Sequence, residues 1–374
     1  MWLKLDFSHH KIPFIVFIIG SIFYLCIKAY IVLAPYVERS APVEVDDAYV
    51  YMLEGEKLIN CSFDTCPGFD TLEKQFMSDD KGEWGWGKLK AYQKVISVKF
   101  FSYGVILTGI ATLLDVEIES VYYTTQFIGV VVGYIALALL LVYFSNFTIA
   151  GIVLMILSVD ISEATTWMET FTPSNYSLIL VVFFVMLFAK KPKSLSKIFY
   201  FPLFVLILFI HPVSVIYASA MIIMLTYDKS IKYAILRYRG EIVSILLVFI
   251  FYKLYVGIDV TSVDAGSLSI GGTILYNFDG VSSYFLNSFL NRELLFFLSF
   301  GIVYLFIKSH QYRVLIIRIL LILMVSLLFY FHNAPAQLFF RLWDLIAPIA
   351  ISLALLGLND IIKFKSTKCR GKIL

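Results

Sequence analysis

Charge is what this sequence has least of. Of its 374 residues, 15% are charged and 60% are hydrophobic, and the mean hydropathy is +0.85. A soluble domain has roughly 25% charged and about 45–50% apolar residues, so a soluble globular protein is excluded. Cysteine is scarce too: there are four, with no zinc or redox spacing among them. Cys61 and Cys66 share one short polar segment and suit either a disulfide, if that segment is extracytoplasmic, or two free thiols. Cys26 and Cys369 have no evident partner. Motifs of soluble chemistry are also missing: no phosphate-cradling P-loop, no HExxH and no serine nucleophile elbow. The net charge of +3 says little about partners, and no nucleic acid is expected.

What is present is a series of separated apolar runs. Strands of a membrane barrel would alternate apolar and polar residues, so the runs read as helices. The expected fold class is all-α: a single integral membrane domain over residues 1–374, with about ten transmembrane helices and further juxtamembrane helices on the outer face. The first run, 12–35, follows Lys4 and Lys11. It is too long for a signal-peptide core and lacks a small-residue cleavage site, so it reads as an uncleaved first span. Further runs lie at 95–114, 121–144, 147–158, 176–189, 198–210, 213–225, 241–257, 294–307, 314–331 and 342–358. Several are shorter than the roughly 20 residues that span a bilayer, and must borrow polar flanks or thin the membrane.

Basic residues set the orientation. They cluster at Lys190, Lys191, Lys193 and Lys197; at Lys229, Lys232, Arg237 and Arg239; at Lys308, Arg313 and Arg318; and at Lys363, Lys365, Lys368 and Arg370. The segments between are acidic or neutral. Every cluster faces the cytoplasm if the apolar stretch 199–225 is two short helices turning at His211-Pro212 and if 95–114 is an amphipathic helix lying on the outer face. Both termini are then cytoplasmic, and the largest soluble part is the first outer loop, 36–120. A crossing 95–114 helix with an unsplit 199–225 run gives the same count of spans.

The outer face then collects the residues able to do chemistry. Asp46 and Asp47, followed by Tyr49 and Tyr51, sit just outside the first span. Carboxylates so close to a bilayer are costly to desolvate, so the pair reads either as a site or as the hydrophilic start of a loop. As a site, either aspartate suits a base that activates an acceptor hydroxyl. The pair is also compatible with Mg2+ or Mn2+. Arg341, at the start of the last span, suits an anionic lipid head group or phosphate leaving group, or else is an interfacial anchor with Trp343 and Asp344. His211 is a helix-terminal hydrogen bonder or a catalytic group. Arg292 beside Glu293 is a surface ion pair or a contact to substrate. Glu163 and Glu169 are candidates for a second acid or the polar crest of a loop. Trp84 and Trp86, in a glycine-rich stretch, suit stacking on a sugar ring or an interfacial belt. Asn60, Asn146 and Asn175 each begin a glycosylation sequon, a pattern common by chance.

With an acidic pair after the first span (Asp46-Asp47-Ala48-Tyr49), an outer-face helix from Lys94 to Asp115 and a second span after the long loop, the chain resembles the GT-C class of polytopic glycosyltransferases. That class includes protein O-mannosyltransferases and the lipid A aminoarabinose transferase. The resemblance covers roughly residues 1–226 by layout, and more loosely the segment from Arg341 to Pro348. It implies a sugar on a polyprenyl phosphate or diphosphate as donor, a glycan, lipid or protein acceptor, and membrane lipids around the site. An outer-face carboxylate would deprotonate the acceptor or coordinate a metal, and the anomeric centre would invert. The expected setting is a bacterial inner membrane, with the active site on the periplasmic or extracellular face. Two departures stand out: Thr172-Pro173-Ser174-Asn175-Tyr176 occupies the place of a further acid, and no large soluble domain follows the last span, which suits transfer of a single sugar. Two other classes remain. A surface-polysaccharide polymerase would rely on outer arginines, of which only Arg39, Arg292 and Arg341 are available. A transporter or flippase would show internal repeats and charges near the midplane, whereas the spans read as nearly free of charge.

Overall fold

A computed structural model describes residues 11–39, 103–159, 173–187, 194–210, 213–251, 292–331 and 337–370. Among these residues the fold is all-helical, with no strand. The helices are α1 (Lys11–Arg39), α2 (Tyr103–Leu114), α3 (Ile118–Phe144), α4 (Phe147–Val159), α5 (Pro173–Leu187), α6 (Ser194–Ile210), α7 (Ser214–Leu225), α8 (Ile231–Arg237), α9 (Arg239–Phe251), α10 (Arg292–Lys308), α11 (His310–Phe331) and α12 (Gln337–Arg370). Three contain stretches long and apolar enough to cross a membrane: Ile12–Tyr30, Phe127–Phe144 and Leu342–Lys363. Shorter apolar stretches lie in α4, α5, α6, α7 and α10.

Local chemistry explains the breaks. Asp115, after α2, adopts φ 53°, the left-handed conformation that short polar side chains tolerate best after glycine. The amide of Val116 then donates back to the Ala111 carbonyl at 3.1 Å and closes the helix end. Between α3 and α4 only Ser145 and Asn146 intervene. The Ser145 hydroxyl donates to the Leu141 carbonyl at 2.7 Å, and the Asn146 side-chain oxygen accepts from the Ile149 amide at 3.0 Å. Asn146 is therefore a helix cap. α5 opens on Pro173, where the missing amide hydrogen costs nothing. The stretch 199–225 is divided as expected: α6 ends at Ile210 and α7 begins at Ser214. Within the stretch 95–114, residues 103–114 are helical; residues 95–102 lie outside the described residues, as does most of the loop 36–120. α8, inside the basic stretch 229–239, was not expected from the sequence.

The helices are arranged inside out relative to a soluble protein. On α1 the buried stripe is Gly20, Ser21, Tyr24 and Lys28, while Ile12, Ile15, Ile22 and Phe23 are exposed. α9 does the same: Glu241 and Ser244 are buried, and Leu246, Leu247 and Phe249 are exposed. Large exposed apolar faces of this kind are stable only against lipid or another apolar surface. The contact between α1 and α4 is backbone on backbone. A Cβ added at Gly20 would overlap the Gly151 carbonyl, and one at Gly151 would lie 2.6 Å from the Val16 carbonyl oxygen. The same device joins α10 to α12, through Gly301, Ala354 and Gly357. Small residues let helix backbones meet where lipid supplies no hydrophobic drive for association.

These contacts give each helix a direction. Phe147, the first residue of α4, makes edge-on ring contacts with Phe14 and Phe17 of α1, so α1 and α4 run parallel. The carboxyl end of α3 meets that of α7: the Tyr143 hydroxyl donates to the Leu225 carbonyl at 3.4 Å, and the Phe144 and Tyr227 rings lie 6.4 Å apart. Arg318, near the start of α11, donates to the Ile223 and Lys229 carbonyls at that same end. Tyr200, early in α6, donates a buried bond of 3.1 Å to Glu241, early in α9, and stacks on Phe184, late in α5. One end of the bundle thus gathers the starts of α1, α4, α6, α9 and α11 and the carboxyl ends of α3, α5, α7 and α10. Lys229, Lys232, Arg237, Arg239, Lys308 and Arg313 all lie there; it is called the basic end below. The ends of α1 and α4 and the starts of α5, α7, α10 and α12 lie at the opposite end.

Candidate functional site

Polar side chains go inward at both ends: Thr226, Glu241 and Ser244 are buried at the basic end, where Tyr200 donates to Glu241, and a larger set is buried at the opposite end. Lys28 in the last turns of the first apolar stretch, Ser158 at the end of α4, Asn175 and Ser177 at the start of α5, Ser214 and Tyr217 at the start of α7, and Trp343 and Asp344 early in α12 are all buried. α4 and α5 both pack on α3, α7 packs on α5, α12 packs on α3 and α4, and α7 and α12 touch each other, so these residues form one polar layer at that end of the bundle. The rest of the buried core is mostly aliphatic and aromatic, with Leu140, Leu141, Leu154, Val182 and Met221 typical, and the hydroxyls of Ser21, Ser326 and Ser352 donate to carbonyls of their own helices.

Two members of the layer carry charge. Lys28 is 0% exposed and Asp344 is 6% exposed. A lysine near the end of a span ordinarily lets its stem lie in the apolar zone and its ammonium reach water. Full burial rules that out for Lys28. Its stripe-mate Tyr24 lies four residues earlier on the same face, with its ring 6.3 Å from that of Tyr134. Ionisable groups inside a membrane bundle are costly and belong to sites or pathways more often than to scaffolding. The hydroxyls nearby cost less, because a serine in a helix satisfies itself: Ser158 donates to the Met155 carbonyl at 2.6 Å.

Trp343 and Asp344 are buried in the bundle, while the side chain of Arg341, read with them as an interfacial anchor, lies outside the described residues. The spans are nearly but not wholly free of charge, since Lys28 lies within one of them. Asn175 is buried as well, which makes its sequon unavailable in the folded chain. Lys28 was passed over in the sequence, although its signal was there as a single cation amid the apolar run 12–35.

Of the residues singled out from the sequence, Asp46, Asp47, Tyr49, Trp84, Trp86, Glu163, Glu169 and His211 lie outside the described residues, as do Cys61 and Cys66. Arg292 opens α10 and Arg341 lies in α12 three positions before Asp344, so the backbone puts both at the end that holds the polar layer. Their side chains lie outside the described residues. In the sequence Glu163 and Glu169 fall between α4 and α5, and His211 falls between α6 and α7. Cys26 is a free, exposed thiol. Among the described residues no group of three His, Cys, Asp or Glu side chains is placed to hold a metal ion.

Compared with known proteins, the chain matches no family model, no curated protein and no solved structure. Its chemistry has to be argued from the arrangement itself. A buried cation, a buried carboxylate and a set of hydroxyl and amide groups at membrane depth can bind a ligand that is both polar and lipid-borne.

Proposed function

We propose that this chain is a polytopic membrane glycosyltransferase of the GT-C kind, which moves a sugar from a polyprenyl-phosphate or polyprenyl-diphosphate donor to an acceptor. In this reading the basic end faces the cytoplasm, with both termini there, and the chain makes about ten crossings of a bacterial inner membrane. The polar layer then faces the periplasm or exterior. One observation supports the reading: Lys28 and Asp344, both ionisable, are buried at the end away from the exposed basic residues, the end at which α12 also carries Arg341.

The chemistry follows from the roles. Asp46 or Asp47 takes the proton from an acceptor hydroxyl, and that oxygen attacks the anomeric carbon from the face opposite the phosphate. The bond from the anomeric carbon to the phosphate oxygen breaks, the new glycosidic bond forms with inversion, and a cation such as Arg341 neutralises the departing phosphate. Tyr49, Trp84, Trp86 and Arg292 are assigned to binding of the sugar and acceptor.

A second reading is favoured by Lys28. Charges buried in spans are typical of transporters, where they line a route through the membrane. Lys28 and Asp344 favour surface chemistry instead, because both lie toward one end of the bundle. The two readings separate in liposomes supplied with a synthetic polyprenyl-phosphate sugar and candidate acceptors. A new glycosidic bond, lost in Asp46→Asn or Asp47→Asn proteins that still insert normally, is the expected result. Movement of the sugar lipid between leaflets without any new bond would replace the enzyme with a transporter. Full activity in both single variants and in the double variant would remove the base assignment.

A further inference from the structure

The corner between α7 and α9 has a separate character. Residues 228–239 contain Lys229, Lys232, Arg237 and Arg239 against a single acid, Asp228. Within this segment, α8 has no buried residue, and Ser230 caps it by accepting from the Tyr233 amide at 3.2 Å. Ile231 and Ile235, one turn apart, are 74% and 53% exposed, and Leu236 is 62% exposed. An unpacked helix this short has little stability of its own, yet its mounting is firm. Arg318 of α11 donates to the Ile223 carbonyl at 2.8 Å, the Thr226 hydroxyl at 3.1 Å and the Lys229 carbonyl at 3.4 Å. Lys229 also pairs with Asp228 at 2.7 Å, which leaves the segment three positive charges in excess.

We infer that this corner docks on the head groups of anionic phospholipids, with Ile231, Ile235 and Leu236 entering the acyl border and Lys229, Lys232 and Arg237 meeting the phosphates. The charge has the right sign for an acidic leaflet, and the mixture of cations with exposed apolar side chains is that of a helix lying in a membrane interface. Continuity with the neighbouring surface selects a lipid layer over a protein partner. α9 leaves the corner with Val243, Leu246 and Leu247 already exposed, one to two turns beyond Arg239, so the same face passes directly from cations to apolar side chains. A folded protein partner would have to match both zones, whereas a bilayer presents them stacked in that order. The inference does not depend on the glycosyltransferase reading.

The test uses the full chain purified in a neutral detergent, with bound molecules counted by native mass spectrometry and the unfolding temperature followed in parallel. Phosphatidylglycerol should be retained in preference to phosphatidylcholine, with the preference falling as salt is raised. Each of the changes Lys229→Gln, Lys232→Gln and Arg237→Gln should weaken phosphatidylglycerol retention by roughly fivefold. Equal retention of the two lipids would overturn the inference. So would an unchanged preference in the triple variant, or displacement of the lipid by glycerol 3-phosphate at matching concentration, which would mark a soluble-phosphate site. Should the triple variant fail to fold, Lys232→Gln alone decides the matter, since that side chain is exposed and its roughly fivefold loss is measurable by itself.

Discussion

At the basic end of this bundle the basic groups face outward and two arginines grip helix termini, with Glu241 alone of the described charged groups there buried and held by Tyr200; at the other end Lys28 and Asp344 are buried in a layer drawn from five helices. Arg313 and Arg318 donate to carbonyls at the carboxyl ends of α10 and α7, where the helix dipole is negative, and Lys229 and Lys232 are exposed. Those interactions are local, solvated and easily explained as structure. Lys28 and Asp344, by contrast, are desolvated, and burial of such groups rarely stabilises a fold as well as an apolar side chain of the same size. The difference teaches where to look for function: at the end where polar groups are kept at an energetic cost.

The comparison is broken most severely by changing the contact that carries Lys28 to its place. Gly151→Leu would drive a side chain into the backbone of α1 at Val16 and Phe17, and the rigid neighbours leave no room to yield. The expected cost is about 3 kcal/mol or more, the upper part of the range for overpacking. Gly109→Ala is the control. It meets open space on α2, and its expected effect is a stabilisation of up to about 1 kcal/mol. Unfolding in mixed detergent micelles measures both. A Gly151→Leu protein as stable as the parent would mean that the α1–α4 contact does not hold the layer together.

Lys28→Met sharpens the contrast between the ends. The substitution keeps the length of the side chain and removes the charge. If Lys28 serves a ligand, sugar transfer should drop on the order of a hundredfold, the usual loss when one stabilising donor is removed from a site. The unfolding temperature should fall by what the lost Lys28 interaction contributes, so a ligand role shows as a loss of transfer well beyond the loss of folded protein. A protein that loses stability and activity in proportion would instead make Lys28 a structural ion, and the second reading, with a route through the membrane, would lose its main support.

The architecture was far more legible in the sequence than the site. An all-α fold, the first span and the division of 199–225 at His211-Pro212 followed from composition, run length and a proline in the one place where a helix could turn. Helix α8 was hidden because its seven residues lie in a stretch whose basic residues signal orientation, and so short a helix leaves no period to detect. The buried layer was hidden for a different reason. Ser158, Asn175, Ser214 and Asp344 are far apart in the chain and become neighbours in one layer only when helices of known direction pack. Before packing, Asp344 beside Trp343 reads as an anchor at the membrane surface. Lys28 is the exception, since a lone cation in an apolar run is visible in one dimension. Asp46 and Asp47, on which the chemistry was expected to turn, lie outside the described residues.

The mildest of these changes falls at the basic end. Arg318 reaches across from α11 to the last turn of α7 and makes three hydrogen bonds there, two to carbonyls and one to the Thr226 hydroxyl. The last carbonyls of a helix have no partner within it, so a cation that satisfies that of Ile223, and that of Lys229 just beyond the helix, also meets the negative end of the dipole. The arrangement is partly exposed, which screens the charge. Arg318→Gln should therefore lower stability by about 1 kcal/mol. Arg318→Lys should recover only part of this, because an ammonium cannot fork between the Ile223 and Lys229 carbonyls. Transfer activity should be unchanged in both variants. If Arg318→Gln instead abolished transfer as fully as Lys28→Met at preserved stability, the basic end would share in the chemistry, and the division of labour between the two ends would have to be abandoned.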